Sequence, residues 1–308
     1  MVPNRIGLLL VIMTACAAFV PSVGSAATAG PVIQTEDVER FYRIYEAANG
    51  RPTAEQLQHD YLDAGTEGLH QFAKIRRISG EAIAATLTKR PEIYADAKRC
   101  TAVLPRVRER LAAAMRKLGS LYPQARFPPV TIAIGRGKPV GVGSPATGVQ
   151  IGLEALCATN WLNANVEDRF VNVIAHEYVH VQQVQARVDE EKPTVLSMSL
   201  IEGAADFVGE LISGDVSYAY LKDMTKGRET QIETAFVADM KSRDLSRWLY
   251  NSTPEKPSDL GYWVGYRIVK SYYQHARDKR VALREIIGMN DPEHFLAASG
   301  WRPGIKLD

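Results

Sequence analysis

A helix that is apolar almost all the way round, yet carries three ionisable groups at its centre, restricts this chain more than any other feature. The residues from Val166 to about Arg187 follow a helical pattern, and V-I-A-H-E-Y-V-H-V-Q-Q runs from Val173 to Gln183 within it. Val171, Val173, Ile174, Ala175, Val179 and Val181 leave no broad polar face, so other elements must cover this helix. His176 and His180 are four residues apart, and on a helix that spacing separates side chains by about 40° in direction and about 6 Å in height. The two imidazoles therefore project side by side. Buried polar groups without partners cost on the order of several kcal/mol, and one shared cation satisfies both rings. Glu177 points about 100° away from His176 on the helical wheel, which puts it beside such a cation as a general base and not among its ligands.

Two histidines make half a metal site, so further ligands are needed. A glycine three residues after His180 and a histidine or aspartate six after it would define the metzincin continuation; Gln183 and Ala186 stand there instead. A second helix is predicted from Thr194 to about Ser213, ended by Gly214, and contains E-G-A-A-D from Glu202 to Asp206. Glu202 follows His180 by twenty-two residues, enough for the first helix to end, turn and return antiparallel. His176, His180 and Glu202 then form the two-histidine, one-carboxylate set of an open zinc site, with Zn2+ as the expected metal. Asp206, one turn on, can accept a hydrogen bond from the second nitrogen of His176. Asp206 and Glu210 remain alternatives to Glu202 as third ligand.

Around these two helices the pattern predicts an α+β fold, predominantly helical, with a small sheet preceding the metal-site helix. Residues 35–121 read as amphipathic helices: Val38, Phe41, Tyr42 and Tyr45 recur at helical spacing, Thr53 and Gln56 can form a capping box, and Pro91 suits a first turn. The sheet is expected within 128–154, from the β-branched run Val130 to Ile134 and the stretch Gly148 to Leu153. Gly135, Gly137, Gly141 and Gly143 between them read as a loose hairpin loop. Metal-site helices fill 166–213 and further helices 228–300.

The chain has 308 residues and a net charge of +2, which suits one domain over 27–308 and gives no basis for nucleic-acid binding. Residues 1–26 read as a secretory signal peptide, with one positive charge, an apolar run from Ile6 to Val20 and small residues at Ser25-Ala26-Ala27. Met13-Thr14-Ala15-Cys16 is also a lipobox-like sequence, so a lipoprotein anchored through Cys16 is the alternative, and an uncleaved anchor a third. The mature chain has no expected transmembrane span. Its two cysteines, Cys100 and Cys157, form a disulfide in an oxidising compartment or remain buried thiols.

H-E-Y-V-H-x-Q-Q followed by E-G-A-A-D-F resembles the bacterial predicted zinc-dependent proteases that include the gliding-motility lipoprotein B-like proteins, within the gluzincin group. F-Y-R-I-Y from Phe41, Y-L-D-A-G-T-E-G-L from Tyr61, G-V-Q-I-G-L-E from Gly148 and G-Y-W-V-G-Y-R-I-V-K-S-Y from Gly261 extend the similarity. The resemblance implies a zincin-like domain in an exported, periplasmic or extracellular metallopeptidase, with Glu177 moving the proton of a zinc-activated water. It implies that Gly148, Val149, Gln150 and Ile151 form the active-site edge strand, pairing with a peptide or protein substrate in extended conformation. It also implies a downstream oxyanion partner, for which Tyr266 is preferred over Tyr262 and His275. A non-catalytic zinc-binding envelope assembly protein of the same fold is the alternative function, and a hydrolase of non-peptide amides a third. Nothing in the sequence specifies the oligomeric state or the cleavage preference.

Overall fold

A computed structural model describes residues 32–138, 140–253, 256 and 258–307. The leader expected over 1–26, including Cys16, lies outside the described residues. The chain enters through β1 (Ile33–Gln34) and continues through α1 (Glu36–Ala47), α2 (Ala54–Gln56) with a π-helical turn over Leu57–Asp63, α3 (Glu67–Arg76), α4 (Gly80–Lys89), α5 (Pro91–Ala97) with a 3-10 segment over Lys98–Val103, and α6 (Leu104–Leu121). Local chemistry sets these boundaries. The Thr53 hydroxyl accepts from the Gln56 backbone N–H at 3.1 Å while the Thr53 N–H donates to the Gln56 side chain at 2.9 Å, completing the capping box. Pro91 occupies the first turn of α5. The periodic residues of α1 face inward, where Phe41 packs on Tyr61 and Tyr94 at ring separations of 5.4 and 5.9 Å.

The sheet is larger than the sequence suggested. Beside β1 it contains β2 (Val130–Ala133), β3 (Gly141–Ser144) and β4 (Gly148–Gly152), in the order β1-β2-β4-β3. β1, β2 and β4 run parallel, and β3 returns antiparallel along β4. β3 arises from the glycines expected to be loop. A Cβ on Gly143 would lie 2.0 Å from the backbone oxygen of Glu177, and one on Gly141 would lie 2.6 Å from its Oε1. Only glycine lets this strand lie directly on the helix behind it.

Helices make up most of the remainder: α7 (Leu153–Ala158), α8 (Val166–Gln182), α9 (Gln185–Val188), α10 (Val195–Ser213), α11 (Tyr220–Thr225), α12 (Glu229–Asp239), α13 (Leu260–His275), α14 (Lys279–Ile287) and α15 (Pro292–Ala298). The fold is α+β and predominantly helical. Asn165 caps α8 by accepting from the N–H groups of Glu167 and Asp168 at 2.9 and 3.1 Å. α8 is buried from Arg169 to Gln182, as its all-round apolar surface requires. It stops five residues short of Arg187 because Gln183 adopts an extended backbone, ψ 168°, and turns its side chain to the Ile201 carbonyl. α10 ends at Gly214, in the left-handed conformation at φ 102°.

α10 and α13 cross with their backbones in contact. A Cβ on Gly203 would come within 2.1 Å of the Gly265 carbonyl carbon, and one on Gly265 within 1.7 Å of the Ser199 oxygen. Buried apolar residues from Ile33 to Phe295 form one continuous cluster, so α8 and α10 are held from the sheet side and the helical side at once. Cys100 and Cys157 are disulfide-bonded, with Cα atoms 6.0 Å apart. No described helix is long and apolar enough to cross a membrane.

Candidate metal centre

α8 supplies His176, Glu177 and His180, and α10 supplies Glu202 and Asp206. His176 Nε2 and His180 Nε2 are 3.1 Å apart, and each is 3.2 Å from Glu202 Oε2. All three side chains are buried. The far sides of the rings determine what these atoms are. His180 Nδ1 lies 2.7 Å from Gln183 Oε1, whose amide nitrogen donates to the Ile201 carbonyl at 2.8 Å, so the amide oxygen must accept and Nδ1 carries the proton. His176 Nδ1 lies 2.9 Å from Asp206 Oδ1, a carboxylate that also accepts from the Ser217 hydroxyl at 2.5 Å. That ring too is protonated on Nδ1.

With both imidazoles neutral, two Nε2 lone pairs and a carboxylate oxygen therefore face one another. Such an arrangement is repulsive unless a cation sits among the three atoms. Their spacing suits one: a tetrahedron with ligand arms of about 2.0 Å has edges of about 3.3 Å. His176, His180 and Glu202 thus form a group that could hold a metal ion, and among the described residues they alone meet that geometry. The titration behaviour of the metal-free chain expresses the same demand for positive charge. Burial disfavours the charged imidazoles, yet Asp206 and Glu202 carry the His176 pKa well above its usual value, and Glu202 raises that of His180. Burial works against ionised Glu202, but the flanking imidazoles hold its carboxyl far below the ordinary carboxylate range.

The Glu177 carboxylate makes no hydrogen bond to any described residue and lines a cavity of about 260 Å³ together with His176, His180 and Glu202. Burial raises its pKa, with the two imidazoles acting in the opposite sense. β3 forms another wall through Gly141, Val142 and Gly143. This corrects the expectation for Gly148 to Ile151: β4 is hydrogen-bonded to β2 on one side and β3 on the other, so its backbone has no free edge for a ligand strand. The edge strand beside Glu177 is β3.

Tyr266 is likewise displaced from the cavity. Its hydroxyl donates to Glu210 Oε2 at 2.5 Å, and its ring packs on Phe207. Tyr262, one turn earlier on α13, is the residue that reaches the site, stacking on His176 with ring centres 6.3 Å apart. The rise of about 6 Å per helical turn carries Tyr266 past the cluster. His275 lies further along α13, with Nδ1 against the Ser271 carbonyl at 2.8 Å. Glu210, held by Tyr266 and Lys222, is not among the converging groups.

Sequence reasoning missed Tyr250, whose hydroxyl donates to Glu202 Oε1 at 2.7 Å. This tyrosine has φ 58°, a left-handed conformation that costs a bulky side chain about 1–3 kcal/mol. Its neighbours impose it. Trp248 and Leu249 are buried on one side, while on the other Asn251 and Asp259 exchange two hydrogen bonds of 2.8 Å. The residue as a whole is 61% exposed, but its hydroxyl is directed inward onto Glu202, and burial followed by the Glu202 charge raises its pKa well above an ordinary phenol's. Ser217, Tyr218 and Gln183 were also missed. Gln183 alone carried a sequence signal, standing three residues beyond His180 on the same helical face.

No curated protein and no solved structure matches the chain. Residues 155–287, which contain the three converging side chains with Glu177, Asp206 and Tyr250, match the family model of a predicted Zn-dependent protease (DUF2268).

Proposed function

We propose that this chain is a zinc-dependent peptidase that hydrolyses peptide bonds in an extended substrate. The observation that carries this reading is the convergence of His176 Nε2, His180 Nε2 and Glu202 Oε2 beside the Glu177 carboxylate, which has no hydrogen-bond partner among the described residues. His176, His180 and Glu202 are the ligands, and Asp206 and Gln183 hold the imidazoles in the tautomer that a metal requires. Bound there, zinc supplies Lewis acidity and makes water a nucleophile near neutral pH. Glu177 takes the proton of the attacking water and delivers it to the leaving amine. The substrate lies along β3, whose outer edge is unpaired among the described strands. Tyr250 turns its hydroxyl from Glu202 to the carbonyl oxygen as negative charge develops on it. The charged-then-apolar leader at 1–26 and the Cys100–Cys157 disulfide both suit export to an oxidising compartment.

Zinc-loaded protein incubated with a mixed peptide library is expected to produce internal or terminal cleavages, to lose them on addition of a strong chelator, and to regain them with zinc. Stoichiometric zinc without any cleavage would replace the peptidase by a binding protein. Tyr250→Phe removes only the hydroxyl, so kcat should fall about a hundredfold, as for loss of one oxyanion donor, with KM and zinc content little changed. Weaker zinc binding at unchanged kcat would make Tyr250 a support for Glu202 and remove it from the reaction.

A further inference from the structure

Arg76, the last residue of α3, projects into the wall of the metal-site cavity, where it is the only lysine or arginine among the lining residues. Its backbone is anchored from three directions. Arg77 ends the helix at φ 50°, the Ile78 N–H donates to the Ala73 carbonyl at 2.9 Å, and Arg136 Nε donates to the Arg76 carbonyl at 3.1 Å. The side chain has the opposite character: it makes no hydrogen bond or ion pair with any described residue, and its Nε is shut off from solvent without a partner. Glu177 and Glu202 line the same cavity but neither is in ion-pair contact with it. Tyr250 lines the cavity as well, so Arg76, the proposed base and the proposed oxyanion donor share one lining.

A guanidinium stays ionised under all ordinary conditions and presents a planar fork of donors that matches a carboxylate. Held in a partly closed cavity with Val140, Val142, Leu162 and Met198, it has no carboxylate in ion-pair contact among the described residues. A neutral peptide carbonyl would satisfy one donor and leave the charge uncompensated, whereas a carboxylate satisfies both. We infer that Arg76 is a specificity residue that binds a carboxylate of the substrate close to the scissile bond, supplied by a free C-terminus or by an aspartate or glutamate side chain. The word substrate rests on the peptidase reading; the carboxylate binding does not.

The test is therefore a binding measurement on the zinc-loaded Glu177→Gln protein, using fluorescent peptides of one neutral sequence. One form has a free C-terminus, one is amidated, and an amidated set carries a single glutamate scanned through the positions. A carboxylate-bearing form should bind about ten- to a hundredfold more tightly than the neutral amide, the scale of a hydrogen-bonded charge pair. Arg76→Gln should erase that difference without weakening the neutral amide, and Arg76→Lys should restore part of it. Preference for the free acid identifies the C-terminus as the source, and preference for one glutamate position identifies a side chain. Equal binding or no binding of all forms overturns the inference, as does a preference that survives Arg76→Gln, which would put the anion on the metal. A protein that selects the acid but never cleaves it in the wild type would sink the peptidase reading and leave Arg76 as the carboxylate receptor.

Discussion

Replacing Glu177 by glutamine is expected to leave zinc bound and to reduce peptide cleavage by about a hundred- to ten-thousandfold, the range for loss of a positioned general base. The substitution preserves shape, which matters because the residue is only 8% exposed and its side chain is pressed against Gly141. It removes no hydrogen bond to a described residue, so the fold and the ligand cluster have no reason to move. The lost property is the ability to accept a proton. Zinc content measured beside cleavage of the best library peptide separates the outcomes: retained metal with lost cleavage supports the assignment. Retained cleavage would transfer the base role to another group, and loss of metal would show that Glu177 belongs to the ligand cluster.

Glu202→Ala carries the second large effect. The carboxylate oxygen that approaches both Nε2 atoms at 3.2 Å disappears, leaving two neutral imidazoles on one helix. Removing a hydrogen-bonding partner of a ligand already weakens metal binding about ten- to a hundredfold, so loss of a ligand should exceed a hundredfold in a competition titration against a chelating dye. The methyl of alanine fits the packed face of α10, whose close contacts with α13 run through Gly203 and Ser199. Circular dichroism of the metal-free protein should therefore stay close to wild type, while its thermal unfolding midpoint falls, because Glu202 also balances the buried imidazoles and accepts from the Tyr250 hydroxyl. Unchanged zinc affinity would promote Asp206 or Glu210 to third ligand.

The candidate metal site was more legible in the sequence than the walls around it, for physical reasons. Helical spacing is a covalent property of the segment, so His176, Glu177 and His180 could be placed from position alone, and the apolar residues between them announced burial. Glu202 followed from the length of chain needed to turn back, and Asp206 from one further turn. Strand order has no such local code. β4 reads well as a strand, but nothing in its residues says that β3 pairs on its far side, and β3 itself is glycine-rich because Gly141 and Gly143 must clear Glu177. Side-chain alternation, the usual strand signal, is muted where glycine takes every second position and only Val142 and Ser144 carry side chains. Tyr250 was invisible because it stands in a non-helical segment, in a conformation imposed by Asn251, Asp259 and buried neighbours. Tyr266 looked suitable because the pattern defines a helical face without saying where along α13 that face meets α10.

The central claim is a single zinc ion shared by two helices. Crystals grown with zinc and measured on both sides of its absorption edge should give one strong anomalous peak about 2.0–2.2 Å from His176 Nε2, His180 Nε2 and a Glu202 carboxylate oxygen. A peak ligated by other residues, or no peak between α8 and α10 in a folded, zinc-saturated protein, would contradict it.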